Sequence, residues 1–333
     1  MASLNDKLAS GRVILADGAM GTSLFMAGLP SGGAPELWNL ERPDAIHWVH
    51  TGFLNAGSEI ILTNSFGANR CRLKLHEAEN RVVEINRAAA GIARAEVESA
   101  GNGALVAGSI GPTGELPVPL GALGEADGIA VFGEQAKALA DGGADLLWIE
   151  TISSPEELAW AVAGAATAGL PIVATMTFDT AGRTMMGLSP ADAIALVRAL
   201  PVPLAAFGAN CGVGPAQLVL TVVELAAAAG PALPIVAKGN AGIPSYQDGH
   251  VHYGADAEEM ATYARLARDA GARIIGGCCG TRPLHIQAMA SALESEPGPV
   301  PDRAAIEAAL GPVVEPANEP AAKPRERRRR RAG

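Results

Sequence analysis

Two cysteines stand side by side in Gly276-Gly277-Cys278-Cys279-Gly280, and a third, Cys211, closes Gly208-Ala209-Asn210-Cys211. Three thiolates suit a borderline-soft ion such as Zn²⁺, and three protein ligands leave the fourth tetrahedral position open, as catalytic rather than structural zinc requires. The competing readings are a vicinal disulfide, strained and disfavoured in a reducing compartment, or thiols packed as small hydrophobes. The remaining cysteine, Cys71, lies between Arg70 and Arg72 on an expected helix and reads as a packing or surface residue.

Two acids form a second group. Asp17 begins Asp17-Gly18-Ala19-Met20-Gly21-Thr22, and Glu150 closes an apolar run. Together they could hold an ammonium group, while the small residues after Asp17 leave backbone N–H groups free for a carboxylate or phosphate. Paired carboxylates could instead serve a glycosidase. That reading leaves the cysteines unused, and 4% aromatics give few sugar platforms. His250-x-His252 could ligate a metal but sits on a Gly-rich loop and reads as exposed, His285 serves equally as a helix cap or a functional residue, and Asn240 reads as a turn residue able to reach the site.

These residues need elements to position them. Eight short apolar runs end in small or polar residues, at 13–17, 59–65, 104–110, 145–151, 172–178, 204–211, 234–240 and 272–278. Helical spacing fills 69–100, 125–141, 155–168, 190–200, 215–229 and 257–270, with start signals such as Ser154-Pro155-Glu156-Glu157. Apolar strands without alternation, each followed by a helix, imply parallel strands covered on both faces. Eight such units predict a (β/α)₈ TIM barrel of the α/β class over residues 1–295, followed at 296–333 by a short helix, a linker and an Arg-rich tail. In such a barrel chemistry gathers at the C-terminal strand ends, which is where Asp17, Asn64, Ser109, Glu150, Asp179, Asn210-Cys211, Asn240 and Cys278-Cys279 fall.

Composition narrows the partners. At 333 residues and 49% hydrophobic the chain can bury a large core, and four cysteines are too few for a disulfide scaffold. The formal charge of −10 hides seven cations in the last thirteen residues; the body carries 18 cations against 34 anions. An acidic body argues against nucleic acid as the main partner, and the arginine run reads as a solvated, disordered terminus, with a loose RNA or anionic-lipid contact as the alternative. The uncharged run 158–178 contains Gly169-Leu170-Pro171 and reads as helix, turn and strand rather than a membrane span. No signal-peptide pattern opens the chain, so a cytoplasmic location is expected.

Taken in order, the motifs resemble the homocysteine S-methyltransferase family over about residues 13–293. The resemblance rests on Asp17–Thr22, Thr63-Asn64-Ser65-Phe66, Gly111-Pro112-Thr113-Gly114, Ile149-Glu150-Thr151 and the two cysteine segments. It implies a Zn²⁺ enzyme in which Cys211, Cys278 and Cys279 hold the metal, with Asn240 as a transient ligand. It further implies that Asp17 and Glu150 orient the amino group of L-homocysteine, that amides of Gly18, Ala19 and Met20 receive its carboxylate, and that Asn64 and Phe66 join the substrate site. The methyl donor must be activated, and a stand-alone barrel favours a small onium compound, glycine betaine first.

Trp38 is expected as an aromatic wall for that cation. Gly67 and Thr151 stand where animal betaine enzymes carry tyrosines, which thins the cation box, and the remaining pattern looks closer to bacterial betaine–homocysteine enzymes. Alternatives are an S-methylmethionine or dimethylsulfonio donor, or the homocysteine module of a split cobalamin-dependent methionine synthase. A non-catalytic zinc- or RNA-binding barrel is the rival from another class. Homo-oligomerisation is left open.

Overall fold

The computed structural model describes residues 3–247 and 250–313. The Arg-rich tail anticipated above lies outside them. The chain begins with α1 (Leu4–Ala9), β1 (Ile14–Leu15), α2 (Met20–Met26), α3 (Trp38–Glu41), α4 (Pro43–Asn55) and β2 (Ile60–Leu62). Then come α5 (Arg70–Leu73), α6 (Val82–Ala100), β3 (Leu105–Ile110), α7 (Glu125–Asp141), β4 (Leu146–Ile152), α8 (Pro155–Ala166) and β5 (Ile172–Met176). The second half runs α9 (Pro190–Ala199), β6 (Ala206–Cys211), α10 (Pro215–Ala229), β7 (Ile235–Gly239), β8 (Pro244–Gln247) and β9 (His250–Tyr253). It ends with α11 (Ala257–Asp269), β10 (Ala272–Gly277), α12 (Pro283–Leu293) and α13 (Arg303–Leu310).

Eight parallel strands pair in the order β1-β10-β7-β6-β5-β4-β3-β2. The two ends meet at an Ala16–Ile60 bridge, where Asp17 N donates to Ile60 O (3.0 Å) and Glu59 N to Leu15 O (2.7 Å). This is the expected (β/α)₈ barrel. Its strands read as continuous apolar runs because both faces are buried. Ile14, Ile60, Leu105, Leu146, Val173, Val236 and Ile274 pack inside, while Leu15, Ile61, Val106, Leu147 and Ile275 pack against the helices. Trp148 fills the centre, and Leu4 of α1 joins the inner cluster. Lys7 of α1 pairs with Glu59 (3.1 Å).

Local signals set the helix starts. Ser154 and Ser189 side chains accept from the amides of Glu157 and Asp192, each followed by proline at the first helical position. The run 158–178 resolves into α8, a turn and β5, and among the described residues no helix is long and apolar enough to cross a membrane. Three expectations need correction. The 69–100 helix is broken into α5, two 3₁₀ turns and α6, with Glu77 at φ +56°. Asn86, buried in α6, spends its amide on Ala68 O and so ties the interrupted segment down (2.8 Å). The last barrel strand ends at Gly277, one residue before Cys278. The His250-x-His252 stretch forms strand β9, paired antiparallel with β8.

Candidate active site

The C-terminal ends of the barrel strands enclose a cavity of about 260 Å³. Asp17, Gly18, Ala19, Met20, Asn64, Phe66, Ser109, Glu150, Cys211, Lys238, Cys278 and Cys279 line it. The sulfurs come from the end of β6 and the turn after β10, and the carboxylates from the segment after β1 and from β4.

The sulfur side departs from regular strand geometry. Cys211 ends β6 in the left-handed region at φ +63°, where a non-glycine residue is strained by about 1–3 kcal/mol. Cys278 and Cys279 lie in the turn beyond β10. Thr281 N and Oγ1 both donate to Cys278 O (3.1 and 2.6 Å), and Cys278 N donates to Gly239 O (2.7 Å). Gly280 completes the turn at φ +78°, and a Cβ there would run into the Tyr253 ring. A turn resolves what a strand could not, because strand neighbours point to opposite faces.

The three Sγ atoms lie within 4.8 Å of one another. Asn210 and Asn240 aim side-chain amides at Cys278 Sγ (3.7 Å) and Cys211 Sγ (3.6 Å). S–H donation from Cys278 and Cys279 holds the Cys211 thiol well below its usual range. The Tyr253 phenol, half-buried against Cys279, is pushed up by burial and by that sulfur. Asn240 Nδ2 also donates to Gly212 O (2.8 Å), and its Oδ1 is buried without a partner among the described residues. Cys71 stands apart on α5, outside the cluster.

The carboxylate side follows strand alternation. Ser109, Glu150 and Lys238 continue the inward positions of Ala107, Trp148 and Val236. Glu150 Oε1 accepts from Ser109 Oγ (2.5 Å). Burial pushes the Glu150 carboxyl up to about 7, against the pull of Lys238. Asp17 Oδ2 accepts from Leu62 N (2.7 Å) and Oδ1 from Lys238 Nζ (2.8 Å). That pair is deeply buried, with side-chain exposures of 2% and 3%. The Lys238 ammonium also lies 5.3 Å from the Trp148 ring centroid.

The remaining candidates divide. Asn64 lines the cavity, but its side chain donates to Pro35 O (2.8 Å) and Asn39 Oδ1 (3.0 Å), holding the 35–39 segment. Phe66 is 37% exposed into the mouth, and its ring lies where a Cβ on Gly111 would stand, which explains glycine there. Ala19 N already donates to Thr281 O (3.2 Å), so one amide of the expected carboxylate cradle is engaged. Trp38 does not line the cavity. It is 8% exposed within the core, with the Arg42 guanidinium 5.1 Å from its ring centroid, so it is not the anticipated wall of the donor pocket. Of the two readings of His285, the structure shows the cap, its Nδ1 accepting from Arg282 N (3.0 Å). Lys238 was missed; counting back two residues along the strand from Asn240 would have turned it inward.

A closed (β/α)₈ barrel with three thiols and two acids at its mouth defines a narrow class, and the comparisons agree with it. The chain belongs to the homocysteine S-methyltransferase family, whose model matches residues 14–293. It is 31% identical to methionine synthase of Mycobacterium tuberculosis over 85% of this chain, but spans only about a quarter of that relative (25%). It is 31% identical to rat betaine–homocysteine S-methyltransferase 1, over 92% of this chain and 78% of that one. The metallated homocysteine methyltransferase MmuM of Escherichia coli superposes with TM-score 0.70 at 27% identity, covering 85% of this chain and 97% of the other.

Proposed function

We propose that this chain is a cytoplasmic Zn²⁺-dependent enzyme that methylates the thiol of L-homocysteine, with glycine betaine as donor, giving methionine and dimethylglycine. One observation carries the reading: three thiols converge within 4.8 Å in a small cavity that Asp17 and Glu150 also line. The donor set fits the ion. Cys211, Cys278 and Cys279 would hold it, and the orphaned Oδ1 of Asn240 would supply a weak fourth donor that a substrate could replace. When bound, the ion supplies a site that lowers the pKa of the substrate thiol, which is otherwise mostly protonated near neutral pH.

The chain's own residues do the rest. The acidic wall of Asp17 and Glu150 faces the α-ammonium, and the open backbone from Gly18 to Met20 faces the α-carboxylate. This orientation turns the substrate sulfur toward the cysteines. Phe66 offers an aromatic face to an onium donor at the mouth. The homocysteine sulfur then attacks a methyl carbon in line; the S–C bond forms as the C–N bond breaks, and its electron pair returns to nitrogen. A cationic nitrogen or sulfur is needed because only then does the leaving group depart neutral.

The similarity to a quarter of methionine synthase, with Trp38 absent from the wall, favours a second reading: a homocysteine module served by a cobalamin-bearing partner. Incubating zinc-loaded protein with homocysteine and betaine, S-methylmethionine, a dimethylsulfonio compound or methylcobalamin decides among them. Methionine formed from betaine is the expected outcome. Methionine from another donor alone would replace the betaine assignment, and none from any donor would overturn the enzymatic reading.

A further inference from the structure

The acids lining the cavity are Asp17, Glu36 and Glu150, and Lys238 is the buried base among them. Asp17 has both oxygens committed, one to Leu62 N and one to Lys238 Nζ, and is almost wholly enclosed. Glu150 has a single partner among the described residues, Ser109 Oγ, and keeps surface in the cavity. The other acid of the wall, Glu36, gives Oε1 to the Gly67 amide (2.6 Å).

Asp17 carries a single negative charge that Lys238 already neutralises, so for a substrate ammonium to have Asp17 as its counter-charge the Lys238 ammonium would have to give it up. Removing one partner of a buried ion pair strands an uncompensated charge, which is strongly unfavourable. Beneath Lys238 lies the Trp148 ring, which cannot replace a carboxylate. The nearest other acid on this wall is Glu150, and moving Lys238 there would only exchange one occupied carboxylate for the other. Either way, within the Asp17–Glu150 pair one internal ammonium leaves one acid for one external ammonium. The observed 2.8 Å pairing selects Asp17 as the occupied member.

We propose that Lys238 is a positioning residue that withdraws Asp17 from substrate recognition and leaves Glu150 alone to receive the α-ammonium of the amino-acid substrate. This rests on the homocysteine reading and refines it: Asp17 shapes the floor of the subsite through Leu62 and Lys238, and Glu150 reads the amino group.

The test is calorimetric binding of L-homocysteine and its des-amino analogue, 4-mercaptobutanoate, to full-length zinc-loaded protein. A charged ammonium–carboxylate hydrogen bond gives the wild type a preference of about 10- to 100-fold for homocysteine. Glu150→Gln abolishes that preference. Asp17→Asn keeps it, even where both affinities fall together. In Glu150→Gln/Lys238→Met, Asp17 is released to bind the ammonium, and the preference returns; a purely structural lysine would not restore it. Loss of the preference in Asp17→Asn as complete as in Glu150→Gln would overturn the assignment. Failure of the wild type to bind homocysteine at all would overturn the functional reading, and the assignment with it.

Discussion

The thiol set and the carboxylate set of one barrel mouth are built by opposite means. On the sulfur side, Cys211 is held in a left-handed backbone conformation and Cys278 and Cys279 sit in a turn beyond their strand. On the carboxylate side, Ser109, Glu150 and Lys238 simply continue the inward alternation of β3, β4 and β7. Convergence of three sulfurs demands directions that regular strands cannot give, and strained backbone is the cost at that point. Acids and a lysine need only depth and mutual neutralisation, which the barrel interior provides.

The sharpest break of this contrast comes from the sulfur side. Cys211→Ala removes one of three ligands, and bound zinc, measured by elemental analysis after dialysis, should drop from about one equivalent to near zero with turnover at background. On the carboxylate side the loss should be partial. Glu150→Gln should weaken homocysteine about 10- to 100-fold while zinc content holds.

The same residue gives a pH signature. Burial raises the Glu150 carboxyl to about 7, so it is neutral below that pH and ionised above it. An ammonium is held only by the ionised form, so homocysteine affinity should climb between about pH 6 and 8. That component should vanish in Glu150→Gln; a pH profile identical to wild type would contradict it.

Smaller effects are expected at the rim. Phe66→Ala should raise the KM for an onium donor about two- to fivefold through loss of a part-exposed cation–π face, leaving homocysteine affinity largely intact. Trp38→Phe should leave the donor KM within about twofold, because Trp38 meets Arg42 rather than the cavity. A larger effect from Trp38 than from Phe66 would restore tryptophan to the donor wall.

Much of this was legible from residues alone. Asp17, Glu150, Cys211 and the Cys278-Cys279 pair were legible because they stand at the ends of apolar runs, where a (β/α)₈ barrel gathers its chemistry. Three features escaped for physical reasons. Lys238 sits inside an apolar run, and a buried lysine makes sense only once a partner from a distant strand is known; Asp17 is 221 residues away. Trp38 looked like a wall because its motif is near the mouth, whereas its ring turns into the core where Arg42 covers it. The interruption between α5 and α6 depends on Asn86 reaching back to Ala68 O, a contact that helical periodicity does not encode.

The central claim is that Cys211, Cys278 and Cys279 form a metal centre with one position open to the substrate sulfur. Zinc K-edge X-ray absorption on the loaded protein, with and without L-homocysteine, tests it most directly. The expected result is three sulfurs at about 2.3 Å plus one lighter donor, becoming four sulfurs when homocysteine is added. A shell with fewer than three sulfurs, or a sulfur count unchanged by saturating homocysteine, would contradict it.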